Sequence, residues 1–231
     1  MRTSGRRFTG ERPVRLGDVD TSGQLRFDAI GRYLQDVASD DAMEAALPNA
    51  MGWVVRRTMI RIEHPCTLNE RVELTTFCTG AGRSWAERRT SIRGLDGGSV
   101  EAVSLWVQID VVSGRPARLG PEFFESYGEA AAGRIVSSKL SLPPPGGELL
   151  ARPWQFRTTD LDPFDHVNNA AQWAVLESLL GAADRRRTAE LEYLAPVGLE
   201  QVDLVVDGRS AWLMRDGRVL SAFRWTTDEG G

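Results

Sequence analysis

The chain has 231 residues, of which 42% are hydrophobic and 26% charged, enough for one large core or two fused small domains. Its net charge of −4 argues against general nucleic-acid affinity, and no apolar run approaches the roughly 20 residues of a membrane span. The opening Met1-Arg-Thr-Ser-Gly-Arg-Arg-Phe8 lacks the apolar core of a signal peptide, so a cytoplasmic location is the default expectation. Cys66 and Cys78 have no metal-ligand spacing with His64 or His166 and cannot build a disulfide framework, so no metal is expected and both read as buried thiols. Lys139 is the sole lysine. Arginine clusters at 56–57, 88–89 and 185–187 offer a local anion-binding face, although solvated strand ends are the plainer reading of any one pair.

In chain order, Arg15-Leu-Gly-Asp18-Val-Asp20-Thr-Ser-Gly-Gln-Leu-Arg-Phe-Asp28 places two carboxylates before a turn. Ile30, Leu34, Val37, Ala38 and Ala45 then repeat with helical spacing, predicting an amphipathic helix that begins near an Asp28 cap. Asp41 falls on the apolar face of that helix, where burial is costly without a partner. It either pairs with an arginine on the facing strands or faces a shared site and joins its chemistry. Strands are predicted at 53–63, 71–80, 84–94 and 100–110, with Gly80-Ala-Gly82 and Asp96-Gly-Gly98 as turns. A linker at 116–150 holds a short helical piece near 121–127, an Ala-rich stretch and Pro143-Pro-Pro-Gly-Gly147.

The second half repeats the first. Asp160-Leu-Asp162-Pro-Phe-Asp-His166-Val-Asn-Asn169 leads into a predicted helix over 169–183. Strands follow at 188–194, 202–206, 209–214 and 219–226, with Asp207-Gly208 and Asp216-Gly217 as turns. Superposing Asp18 and Asp20 on Asp160 and Asp162 needs an offset of 142 residues, which sets Gln24 opposite His166 and Arg26 opposite Asn168. Each half then reads as strand, helix, four strands: an α+β pattern with domains at 1–115 and 151–231.

Only the second copy keeps an imidazole. A buried His beside an acid, just ahead of a helix N-terminus, has the parts of a proton-transfer and oxyanion site. The competing reading is an Asp/Asn-rich turn in which Asp165 and Asn168 merely cap the helix. His64, next to Pro65 at a strand end, reads as structural. No Gly-x-Ser-x-Gly elbow is present, so the chemistry would need no serine nucleophile.

The order of elements, the duplication and His166-Val-Asn-Asn169 resemble the acyl-acyl carrier protein thioesterases of fatty acid synthesis. The likeness extends through Trp53-Val-Val-Arg-Arg-Thr-Met-Ile-Arg-Ile62, Gly82-Arg-Ser-Trp-Ala-Glu-Arg-Arg89, Trp106-Val-Gln-Ile-Asp110 and Gly114-Arg-Pro116. The resemblance implies a tandem, or double, hot-dog fold, in which two antiparallel sheets each wrap a central helix and join edge to edge as a pseudo-dimer. It also implies hydrolysis of fatty acyl thioesters with release of the free acid. The alternatives are an acyl-coenzyme A thioesterase, a non-catalytic acyl-thioester-binding protein and, more remotely, a hot-dog dehydratase. Asp162 and His166 match the family's acid and imidazole, whereas Phe164 stands where plant members carry a catalytic asparagine and Pro196 where they carry a glutamate. On this pattern Asp162 orients His166 for proton transfer, Asn168 positions water or the carbonyl, and N–H groups near Asn168 and Asn169 receive the oxyanion. The first half would supply the acyl pocket, with Asp41 as a further candidate. No cofactor is implied, the partner is an acidic acyl carrier protein docking on arginines, and a homodimer is left open.

Overall fold

A computed structural model describes residues 5–47, 51–147, 149–181 and 187–227. The strands are β1 (Phe8–Pro13), β2 (Met51–His64), β3 (Arg71–Ala81), β4 (Trp85–Gly94), β5 (Ser99–Asp110), β6 (Ala151–Trp154), β7 (Arg187–Tyr193), β8 (Val202–Asp207), β9 (Ser210–Arg215) and β10 (Arg218–Thr227). The helices are α1 (Phe27–Glu44), α2 (Pro121–Ala131) and α3 (Trp173–Leu180). All ten strands form one antiparallel sheet in the order β1-β3-β4-β5-β2-β7-β10-β9-β8-β6. Reading outward from the β2–β7 seam gives the same succession on both sides, each strand answering the one five places later in the chain. This is the double hot-dog arrangement. β1 and β6, the leading strands of the two halves, lie at its outer edges.

Alternation along the strands decides which face each side chain takes. On β3 every second residue from Val72 is buried, and on β7 Ala189, Leu191 and Tyr193 point inward. Those inward faces close over α1 and α3. Phe27 stacks on Trp173 with ring centroids 5.6 Å apart. A Cβ on Gly31 would come within 3.1 Å of the Ala170 Cα, so the first helix and the turn before the third touch backbone to backbone there.

The expected strands are observed to within two residues, and the two helix starts depart from expectation. Asp28 is not the cap of α1. The N-cap is Arg26, and Asp28 sits in the first turn, where its carboxylate takes Arg26 at 2.8 Å and Arg32 at 2.7 Å. Burial pushes the Asp28 carboxyl up, but these two guanidinium groups outweigh it and hold it below its usual value. The second helix is shorter than the predicted 169–183. The Asn168 side chain takes the Ala170 N–H at 2.8 Å, and the chain passes through tight i→i−3 turns before α3 begins at Trp173. Gly181, at φ 59°, ends it. The remainder of that prediction, like Arg185 and Arg186, lies outside the described residues.

The linker serves both halves. α2 packs Phe123, Tyr127 and Ala131 over Cys78, Ala81 and Ala86. Further along, Leu142 and Leu149 cover Val205, Trp212 and Ala222, and the Trp212 Nε1–H donates to the Pro143 carbonyl at 2.9 Å. Glu192, fully buried, anchors the strap by accepting the N–H groups of Ser141 and Leu142 at 2.6 and 3.1 Å.

Candidate functional site

The motif from Arg157 to Asn169 folds as a short 3-10 turn followed by a tight loop. The Asp160 carboxylate accepts the Arg157 N–H at 2.8 Å and pairs with its guanidinium, also at 2.8 Å. Burial pushes its pKa up, and the Arg157 contacts more than reverse that. Asp162 donates its N–H to the His166 carbonyl at 2.8 Å, and the Asn168 N–H returns to the Asp160 carbonyl at 2.8 Å. Asp165 supplies the left-handed residue at φ 61°. The first half repeats these bonds 142 residues earlier: Asp20 N–H to the Gln24 carbonyl at 2.9 Å, Arg26 N–H to the Asp18 carbonyl at 3.0 Å, and Gly23 at φ 77°. The offset read from the sequence is thus a correspondence of individual hydrogen bonds.

The loop places the expected site residues differently from the expected roles. His166 is exposed, not buried. The Asp162 carboxylate does not meet its ring. It accepts backbone N–H groups instead, from Phe164 at 2.9 Å and from His166 at 3.3 Å. The reason is local, because an Asx turn closes within the loop before the side chain can reach outward. Asp162 therefore sets the position of His166 through the main chain. The Asn168 side chain is engaged as a cap on the Ala170 N–H, the plainer of its two readings. Phe164 projects into solvent, 77% exposed.

Asn169 is the residue that reaches the interior. Its carbonyl accepts the Tyr193 hydroxyl at 3.2 Å, and that hydroxyl in turn accepts the Trp173 Nε1–H at 3.1 Å. Burial pushes the Tyr193 phenol up, so it stays protonated and remains a donor. The Asn169 N–H bonds to no described residue, and Asn169 lines a narrow crevice together with Gly31, Gln35, Trp106 and Tyr193. Gln35 and Trp106 also line a larger cavity of about 270 Å³ in the first half, walled by Ala38, Ala42, Leu47, Trp53, Ala86, Phe123 and Tyr127. Crevice and cavity are therefore neighbours that share Gln35 and Trp106, and their combined lining is mostly apolar and aromatic. Tyr193 was visible in the sequence only as part of a family pattern, and Gln35 carried no signal beyond its helical position.

Asp41 lies behind this cavity, 1% exposed, in a closed ion-pair network. Arg88 on β4 bonds it at 2.6 Å, Arg6 at 2.7 Å and the Tyr127 hydroxyl at 3.0 Å. Burial pushes the Tyr127 phenol up; Arg88 pulls it down and Asp41 adds to the rise. Of the two readings for Asp41, the arginine pairing describes its contacts. Strand alternation also divides the arginine clusters: Arg88 turns inward to Asp41, while Arg89 turns outward to Glu101 at 2.8 Å. Among the described residues, no three His, Cys, Asp or Glu side chains gather as a metal site, and no helix is long and apolar enough to cross a membrane.

Residues 5–127 match the family model of the acyl-ACP thioesterase N-terminal domain. Among curated proteins, the chain is 27% identical over 199 residues to the uncharacterized protein Rv2001 of Mycobacterium tuberculosis, covering 84% of this chain and 80% of that one. Among solved structures, an oleoyl thioesterase of Lactobacillus plantarum superposes with a TM-score of 0.80 at 19% identity, over 97% of both chains. A 12:0-ACP thioesterase of Umbellularia californica gives 0.74 at 18% identity, over 95% of this chain and 97% of the other.

Proposed function

The chain belongs to the acyl-acyl carrier protein thioesterase family, whose members hydrolyse fatty acyl thioesters, and on that premise we propose that it releases free fatty acid from acyl carrier protein at the crevice beside Asn169. The observation that carries this reading is that Asn169, whose N–H bonds to no described residue, lines a crevice sharing Gln35 and Trp106 with the adjacent apolar cavity. A thioester carbonyl in the crevice, with its oxygen on that N–H, would send its hydrocarbon tail past Trp106 toward Trp53 and Phe123. Water then adds to the carbonyl carbon, and the negative charge passes to the carbonyl oxygen, where one such donor is worth about 3 kcal/mol. The C–S bond breaks, and the proton released by the water ends on the departing sulfur. His166 is the proton carrier in this scheme, worth roughly 10²–10⁴-fold, and Asp162 holds its backbone in place. Tyr193 fixes the Asn169 peptide from the core side.

The test is turnover of the purified protein on panels of acyl-acyl carrier protein and acyl-coenzyme A at equal concentration. Absence of turnover at any chain length would remove the enzyme reading. Faster turnover on coenzyme A would make that the substrate. The exposed His166 ring and the solvent-facing Phe164 favour one second reading, a protein that binds acyl thioesters without hydrolysing them. Its signature is an acyl thioester that co-purifies and yields no free acid over hours.

A further inference from the structure

The 142-residue correspondence extends past the loops into the helices. It carries Phe27 onto Asn169 and Gln35 onto Glu177. At one end of the molecule, the Glu177 carboxylate on α3 reaches across to α1 and accepts the Phe27 N–H at 2.5 Å. At the other end the same correspondence sets Gln35 of α1 opposite Asn169, and both residues line one crevice. There neither the Asn169 N–H nor the Gln35 carboxamide bonds to a described residue. The Trp106 Nε1 in the same wall is a buried donor with no partner among the described residues.

A carboxylate oxygen on a backbone N–H ahead of a helix is the resting-state likeness of an oxyanion. Glu177 thus marks where the negative oxygen of a tetrahedral intermediate would sit, and at its own end it occupies that position. Gln35, uncharged, leaves the equivalent position open and brings a second donor to it. We propose that Gln35 is a catalytic residue: its Nε2–H donates, together with the Asn169 N–H, to the thioester carbonyl oxygen as water adds to the carbon. The proposal rests on the thioesterase reading above. In the first half of the repeat an acid closes the site, and in the second an amide completes it.

Three variants test this. Gln35→Ala should lower kcat about 10²-fold, as loss of an oxyanion donor does, with KM and Tm close to wild type. Gln35→Glu should place a carboxylate on the Asn169 N–H, as Glu177 does on Phe27. Its kcat at pH 8 should fall below that of Gln35→Ala, and the ratio of the two should recover as pH drops through the ordinary Glu range near about 4.3. Glu177→Gln, away from the reacting atoms, should leave kcat within about twofold of wild type. Wild-type kcat in folded Gln35→Ala, or Gln35→Glu more active than Gln35→Ala at pH 8, would overturn the assignment. An inactive wild-type protein removes this proposal together with the thioesterase reading, whereas an active wild type with an unimpaired Gln35→Ala removes this one alone.

Discussion

His166 and Asp162 share one loop yet meet only through the main chain, and that separation sets what their variants should do. His166→Ala removes an exposed ring and should lower kcat by about 10²-fold or more with Tm unchanged; activity loss that tracks unfolding would assign the residue to the loop instead. Asp162→Asn keeps an oxygen acceptor for the Phe164 and His166 N–H groups, so its defect should be small. Asp162→Ala abolishes the acceptor and should lower kcat several-fold more than Asn, because the His166 backbone loses its anchor. Steady-state kinetics on the pair separates this from an acid that orients the imidazole directly, for which Asn and Ala would be similarly impaired. Asp41→Ala leaves Arg88 and Arg6 without their shared carboxylate and should destabilise the fold by roughly 3–5 kcal/mol, read by denaturant unfolding. At this scale the sequence revealed residue types and spacing but not directions. The Asp162 and Asn168 side chains can each satisfy nearby N–H groups, and only folded geometry decides between that and reaching outward.

At the scale of elements, the long strands were legible because their alternation is strict and Gly-containing turns divide them. The edge strands β1 and β6 were not placed, because Gly10, Glu11, Pro13, Arg152 and Pro153 blur any alternation. The start of α3 was also obscured, since an Asn that caps two residues ahead looks like a cap one turn earlier. Helix contact provides a direct test. Gly31→Val puts atoms where Ala170 already stands at 3.1 Å and should cost about 1–3 kcal/mol in stability while shifting Asn169 and lowering kcat. Asp28 gives α1 an acid-sensitive end. Its folded pKa lies below the unfolded value, so its contribution is complete above about pH 4 and lost as pH falls through the folded pKa. Asp28→Asn should therefore lower Tm at pH 7, with the gap to wild type closing as pH falls through the folded pKa, as thermal melts across pH would show.

For the whole molecule, the β2–β7 seam makes the two halves one object. Thr58 pairs with Leu191 and Ile60 with Ala189, and the inward faces of both strands belong to one core cluster with α1 and α3. We propose the division at 1–115, 116–150 and 151–231 as a description of the repeat rather than of independently stable units. Calorimetry should show a single cooperative transition, and two resolved transitions would show that the halves are separate folding units. The duplication was legible from an offset in ten residues because the loop must rebuild the same turn twice. The crevice beside Asn169 was not, since it depends on which side chains two helices and a sheet bring together across more than a hundred residues.

The prolines and charges of β1 and β6 also bear on how the protein meets its own copies. A continuous sheet has two ends, and each end offers unpaired backbone groups to which another chain could add. Here one end is six residues long and finishes at Pro13, and the other is four residues long and includes Pro153. Proline has no N–H to offer, and Glu11, Arg12 and Arg152 would be carried into any new ladder. The seam a separate subunit would otherwise provide is already filled from within the chain. Growth of the sheet by strand addition is therefore disfavoured at both ends by shortness, proline and charge, which works against edge-to-edge aggregation.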